Sequence, residues 1–126
     1  MSDEQGMKRA LQAYIDHFNA SNPQAISALF ADEATVEDPV GTPLISGRTA
    51  IAAFYERSVA TGARLKLAAP IRGSHGNAAA MAFDVELNMP QGPALIRVID
   101  TFTFDAAGKF TSMRAFWGPG DMELPK

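Results

Sequence analysis

Apolar residues recur every three or four positions early in the chain and every second position late in it. Met7, Leu11, Tyr14, Ile15 and Phe18 fall on one helical stripe, which puts Tyr14 on the buried side of a first helix. Asn22-Pro23 supplies an N-cap and a proline at the first helical position, predicting a short second helix to about Ala31. A third helix is expected from Gly47 or Arg48, with Ile51, Phe54, Tyr55 and Val59 on one face. Beyond it the period changes to two. Phe83, Val85, Leu87 and Met89 alternate with Asp84, Glu86 and Asn88. Pro90-Gln91-Gly92-Pro93 turns the chain into a second strand, Ala94 to about Phe104. Asp105-Ala106-Ala107-Gly108 then turns it into a last strand, Lys109 to Trp117. Short strands near Ala34–Asp38 and Arg64–Ser74 complete the set. Helices first and a strand meander later predict an α+β fold, with three helices from the N-terminal half packed on one face of a curved mixed sheet.

The same alternation assigns a face to each strand residue. Asp100 shares its face with Ile96, Val98, Phe102 and Phe104, so an acid stands in the middle of the more apolar side. The opposite face carries Leu95, Arg97, Ile99, Thr101 and Thr103. On the short strand, Asp38 faces the same way as Ala34 and Val36, just before Pro39-Val40-Gly41. An unpartnered buried carboxylate takes up a proton rather than bear the cost of a desolvated charge, which predicts a raised pKa for Asp100. Asp38, at a strand end and at the mouth of a cavity, is expected to stay partly solvated, ionised and able to accept a proton. Two acids with such divided environments form an acid/base pattern. Taken singly, an inward Asp more commonly pairs with an Arg or caps a turn, and a tyrosine on an amphipathic helix is commonly core. The three residues together are harder to dismiss as structural, and the pattern alone leaves both readings open.

Composition narrows the field. The 126 residues suit one compact unit, and without repeats, low-complexity tracts or a linker the chain is read as a single domain, 1–126. The absence of cysteine excludes disulfides, thiolate metal sites and thiol nucleophiles. Its two histidines, His17 off the apolar stripe and His75 in a turn, have no metal-ligand spacing and read as surface residues. Arg72-Gly-Ser-His-Gly76 lacks the first glycine of a nucleophile elbow. Asp32 and Glu33 do not follow an EF-hand pattern. A net charge of −3 with eleven scattered basic residues argues against nucleic acid as the partner. No run approaches a membrane span or the core of a signal peptide, so a cytoplasmic protein is expected.

Three segments carry a resemblance: Ala31-Asp-Glu-Ala-Thr-Val-Glu-Asp-Pro-Val-Gly41, Ser46-Gly-Arg-Thr-Ala-Ile-Ala-Ala-Phe-Tyr55 and Ser112-Met-Arg-Ala-Phe-Trp-Gly118. They, and Val98-Ile-Asp-Thr-Phe102, resemble the bacterial Δ5-3-ketosteroid isomerases, over a stretch from about Met7 to Gly118. The resemblance implies a cone-shaped fold like that of nuclear transport factor 2, and a homodimer built on the outer face of the sheet. It implies Tyr14 as oxyanion-hole tyrosine, Asp38 as general base and Asp100 as a protonated acid beside Tyr14. Tyr55 resembles a tyrosine that buttresses the first, whereas Phe30 stands where one branch of the family has another, so the network behind Tyr14 is expected to be shorter. The segments Gly62–Ala69 and Met89–Pro93 depart from the family.

On that resemblance the reaction converts 3-oxo-Δ5 steroids to 3-oxo-Δ4 steroids by moving a proton from C4 to C6 through a dienolate. Such a transfer needs no cofactor and no metal. Phe18, Phe54, Tyr55, Phe83, Ile96, Val98, Met113 and Trp117 are the expected substrate-binding walls, although each also reads as plain core. Two alternatives remain open. One is another small-molecule enzyme of the same fold, of polyketide cyclase or epoxide hydrolase type. The other is a non-catalytic module for apolar ligands, which would have no use for a poised acid pair.

Overall fold

In the computed structural model, which describes residues 3–125, the three expected helices and the long strand meander are present. Helix α1 (Glu4–Asn19) starts where Asp3 accepts the Gly6 N–H on its side chain. It buries Met7, Leu11, Tyr14, Ile15 and Phe18, the predicted stripe. Helix α2 (Pro23–Ser27) is capped by Asn22, which accepts the Ala25 N–H at 3.2 Å. It ends before Ala31 because the chain is already committed to a sheet: the Leu29 carbonyl accepts the Phe110 N–H, and β1 (Phe30–Glu37) begins beside it. A two-residue strand, β2 (Ile45–Ser46), leads into α3 (Arg48–Ala60). Gly47 bridges them at a φ of 88°, a conformation that favours glycine.

The sheet continues with β3 (Arg64–Leu67), β4 (Ala78–Met89), β5 (Gly92–Phe104), β6 (Phe110–Phe116) and the short β7 (Met122–Glu123). The order is β2-β1-β6-β5-β4-β3, with β7 on β5. Among the described residues only β1 and β6 run parallel; every other pair is antiparallel, so the sheet is mixed as expected. Several strand bounds differ from the sequence reading, among them the starts of β1 at Phe30 and of β5 at Gly92. Strand β3 stops at Leu67, and beyond Pro70 only Arg72 bridges back to Ala80. Strand β4 reaches back to Ala78, through alanines that give no contrast between faces. Strand β1 ends at Glu37, which leaves Asp38 as the first residue of the following loop.

The helices cover the inner face of the sheet. Leu11, Ile26, Phe30, Val36, Ile51, Phe102 and Phe110 are fully buried between the layers. Four phenylalanines interlock there, with ring centroids of 4.5 Å for Phe102–Phe110, 5.0 Å for Phe30–Phe110 and 5.3 Å for Phe104–Phe110. Truncating one such ring to alanine would cost about 3–5 kcal/mol. Arg48 ties the start of α3 to β1 by donating to the Phe30 carbonyl at 2.6 Å and pairing with Asp32 at 2.9 Å. Opposite the helices, Ile99 and Phe116 sit side by side in register and are largely exposed.

Candidate active site

Between the helices and β4–β5 the packing stops short of filling the interior, leaving an apolar cavity of about 340 Å³. Tyr14, Asp38 and Asp100, from three separate elements, all line it. So do Phe18, Phe54, Tyr55, Phe83, Ile96, Val98 and Trp117. Met113 does not. It faces inward, but it pairs with Phe102 and Val36, two residues before Ala115, the partner of Asp100, and that offset puts it in closed core. Val85 and Leu87 line the wall as well and were legible in the alternation with Phe83. Ala63 and Leu65, and the hydroxyl-bearing Ser58 and Thr61, had no sequence signal.

Each polar group is held differently. Tyr14 is 3% exposed, its ring clasped edge-on by Tyr55 at 5.6 Å and Phe102 at 5.3 Å. Its hydroxyl meets that of Tyr55 at 2.8 Å. Burial pushes both phenols well up, so both keep their protons. Phe30 packs 5.9 Å from the Tyr55 ring and offers it no polar partner, so the tyrosine chain is two residues long.

Asp100 is 1% exposed on β5, and its Oδ1 has no hydrogen-bond partner among the described residues. Burial, reinforced by the charge of Asp38, pushes its carboxyl well above the ordinary range. Among the described residues no arginine or lysine pairs with it: the cationic side chains of β5 and β6, Arg97 and Arg114, engage Glu123 and Glu37 instead. A protonated acid is the state that costs least there.

Asp38 is half-buried, and the Trp117 indole N–H donates to its Oδ1 at 3.0 Å. Burial raises its pKa, while the indole bond favours the carboxylate and opposes that rise. The cavity is therefore lined by three groups whose burial favours the protonated form, Tyr14, Tyr55 and Asp100, and by the half-buried Asp38 carboxyl. Among the described residues no three His, Asp or Glu side chains converge in a metal-ligand arrangement. His17 is half-buried and His75 exposed, and neither lines the cavity.

The chain is similar to several known proteins. A SnoaL-like domain model matches residues 11–113. A steroid Delta-isomerase of Nocardioides simplex is 43% identical, covering 92% of this chain and 93% of that protein. Epoxide hydrolase LasB of Streptomyces lasalocidi is 24% identical over 97% of this chain but only 51% of its own length. Among solved structures, SalBIII, an epoxide hydrolase/cyclase-like enzyme of pyran ring formation in the polyether salinomycin, superimposes with a TM-score of 0.89. It is 31% identical, covering 98% of this chain and 99% of that one. The chain belongs to the SnoaL-like domain family, with full-length homology to a steroid Delta-isomerase.

Proposed function

We propose that the protein is a steroid Δ-isomerase that converts 3-oxo-Δ5 steroids to their conjugated 3-oxo-Δ4 isomers. The observation that carries this reading is the pair of buried, protonated donors, Tyr14 and Asp100, in one apolar cavity with the half-buried Asp38. The C4 protons of the substrate lie between a carbonyl and a double bond and are acidic. Asp38 takes one, and the electrons left behind delocalise into a dienolate whose charge collects on the C3 oxygen. Tyr14 and Asp100 form the oxyanion hole, donating hydrogen bonds to that oxygen as it becomes negative. Asp38 then returns the proton to C6, and the double bond moves into conjugation. A neutral carboxylic acid kept so by apolar surroundings is an established feature of ketosteroid isomerases.

Magnitudes divide the work. A positioned base supplies about 10²–10⁴-fold, and each oxyanion donor roughly 3 kcal/mol. Holding a rigid apolar ring system against Phe54, Phe83 and Val98, with C4 at Asp38, supplies the rest. No electrons leave the substrate, so the chemistry calls for no redox cofactor.

A second reading has support from SalBIII and LasB. An acid that protonates an epoxide oxygen and a base that activates a hydroxyl would use the same three side chains. The isomerase reading is favoured by the higher identity to the steroid enzyme over nearly its whole length. A cytoplasmic homodimer completes the proposal. It is supported by the exposed apolar pair Ile99 and Phe116 on the outer face, beside Leu95 and Thr101.

The deciding experiment follows the ultraviolet absorbance of the conjugated ketone when a Δ5-3-ketosteroid is added. Rapid conversion is expected. No conversion, with turnover of a hydroxy-epoxide instead, would transfer the protein to the second reading.

A further inference from the structure

The loop that carries Asp38 is held from outside the cavity. Glu37, the last residue of β1, accepts the Gly41 backbone N–H on Oε2 at 3.1 Å and so closes a ring around Asp38-Pro39-Val40. Its other oxygen accepts from Arg114 Nε at 3.0 Å. The Glu37 side chain is only 19% exposed, whereas that of Arg114 is 50% exposed and lies 5.4 Å over the Phe116 ring. Two further bonds land on the same end of β6. The Val40 N–H donates to the Ala115 carbonyl at 2.8 Å, and Trp117 donates to Asp38. Ala115 is also the register partner of Asp100. The separation between the base and the buried acid is thus set through one strand end, to which Trp117 ties Asp38 from within the cavity and Glu37 ties its loop from outside.

Resting on the isomerase reading above, we infer that Glu37 is the positioning residue of the general base, and that its clamp on Gly41 and Arg114 holds Asp38 at the substrate proton. Glu37 does not line the cavity, so it has no contact through which to change substrate binding directly. The Gly41 and Arg114 hydrogen bonds lower the pKa of its carboxyl from the ordinary value, which favours the charged form of the clamp.

The test combines steady-state kinetics on a Δ5-3-ketosteroid with the emission of Trp117, the sole tryptophan, in substrate-free protein. Glu37→Ala should lower kcat about 10–100-fold, the scale of a misplaced reacting group, with KM within about twofold. It should also change the Trp117 emission as the Asp38–indole bond loosens. Glu37→Gln keeps an oxygen for the Gly41 N–H and should recover most of both. Arg114→Ala, which releases one arm of the clamp, should fall between them, and it carries the test if Glu37→Ala does not fold. Wild-type kcat in the alanine variants, a loss confined to KM, or a glutamine variant as impaired as alanine would overturn the inference. Absence of turnover in the wild type would instead remove the isomerase reading. Unchanged Trp117 emission in Glu37→Ala would overturn the positioning role whatever the reaction.

Discussion

Tyr14 and Tyr55 share one 2.8 Å hydrogen bond, and no other polar group among the described residues bonds the Tyr55 hydroxyl. In the resting protein either oxygen can donate. Once Tyr14 gives its proton to a ligand oxygen, only Tyr55 can supply the bond between them, and that bond makes Tyr14 the stronger donor. Tyr14→Phe should therefore cost roughly 3 kcal/mol of transition-state stabilisation. Tyr55→Phe should cost about 1 kcal/mol, the worth of one neutral hydrogen bond. Comparing kcat of the two variants checks the direction of the chain. Equal losses would mean that Tyr55 itself meets the substrate.

Asp38→Asn nearly preserves shape and removes the capacity to take a proton. Turnover should fall by about 10³-fold or more while steroid binding survives. On the proposed mechanism, activity in the wild type requires the Asp38 carboxylate, and burial raises its pKa. The acid limb of kcat/KM should therefore lie above the ordinary aspartate value of about 3.9. A variant with near-normal turnover would take Asp38 out of the mechanism.

Asp100 makes a prediction about stability. Its folded pKa is raised well above the unfolded value, so the folded chain holds a proton that the unfolded chain loses. That contribution is fully present below about pH 4 and declines as pH rises through the folded pKa, by up to about 1.4 kcal/mol per pH unit. Asp100→Asn removes the titration. Urea unfolding should show the variant gaining on the wild type between pH 4.5 and pH 7, whereas a constant gap would mean that Asp100 is ionised in the fold.

Stripes of strong contrast were legible in the sequence. The buried face of α1 and the inner face of β5 follow from Leu11, Tyr14, Phe18, Val98 and Phe102 against charged or polar neighbours, and they delivered Tyr14 and Asp100 to the interior. Contrast failed at Ala78–Ala82, where alanines occupy both faces, and two-residue strands such as Ile45–Ser46 are too short to have a period. Met113 has the right face and the wrong depth, a coordinate that period-2 reading does not contain. The bond between Trp117 and Asp38 joins residues 79 apart in sequence, and that between Tyr14 and Tyr55 joins residues 41 apart. The family resemblance linked Tyr55 with Tyr14, but nothing in the sequence linked Trp117 with Asp38, because sequence spacing says nothing about what folding brings together.

The outer face of the sheet predicts an assembly. Ile99 is 50% and Phe116 41% exposed, and they are register partners on the face that also carries Leu95 and Thr101. An isologous pairing of two such faces would cover both. Sedimentation at micromolar concentration should give about twice the chain mass, and Ile99→Asp should lower it. A monomer under those conditions would leave the apolar pair unexplained by self-association.

The oxyanion hole separates a catalyst from a passive apolar pocket. If Tyr14 and Asp100 are arranged for charge on the C3 oxygen, a phenolate should imitate the intermediate better than a ketone does. A phenolic steroid such as equilenin should then bind more tightly than a saturated ketosteroid of similar shape. Substitutions at Asp100 should fall in an order. Asn keeps a donor and should cost least; Leu fills the space with no donor and should cost most. Ala should lie between them, since it leaves room for a water that can donate in place of the carboxyl. Tyr14→Phe should weaken the phenol more than the ketone, because only the former carries the full charge. A cavity that merely shelters apolar rings would show no preference for phenols and no order among these variants. Phenol affinities that stay flat across Asp100→Asn, Asp100→Ala, Asp100→Leu and Tyr14→Phe would therefore dismiss the oxyanion hole, whatever the fate of Asp38.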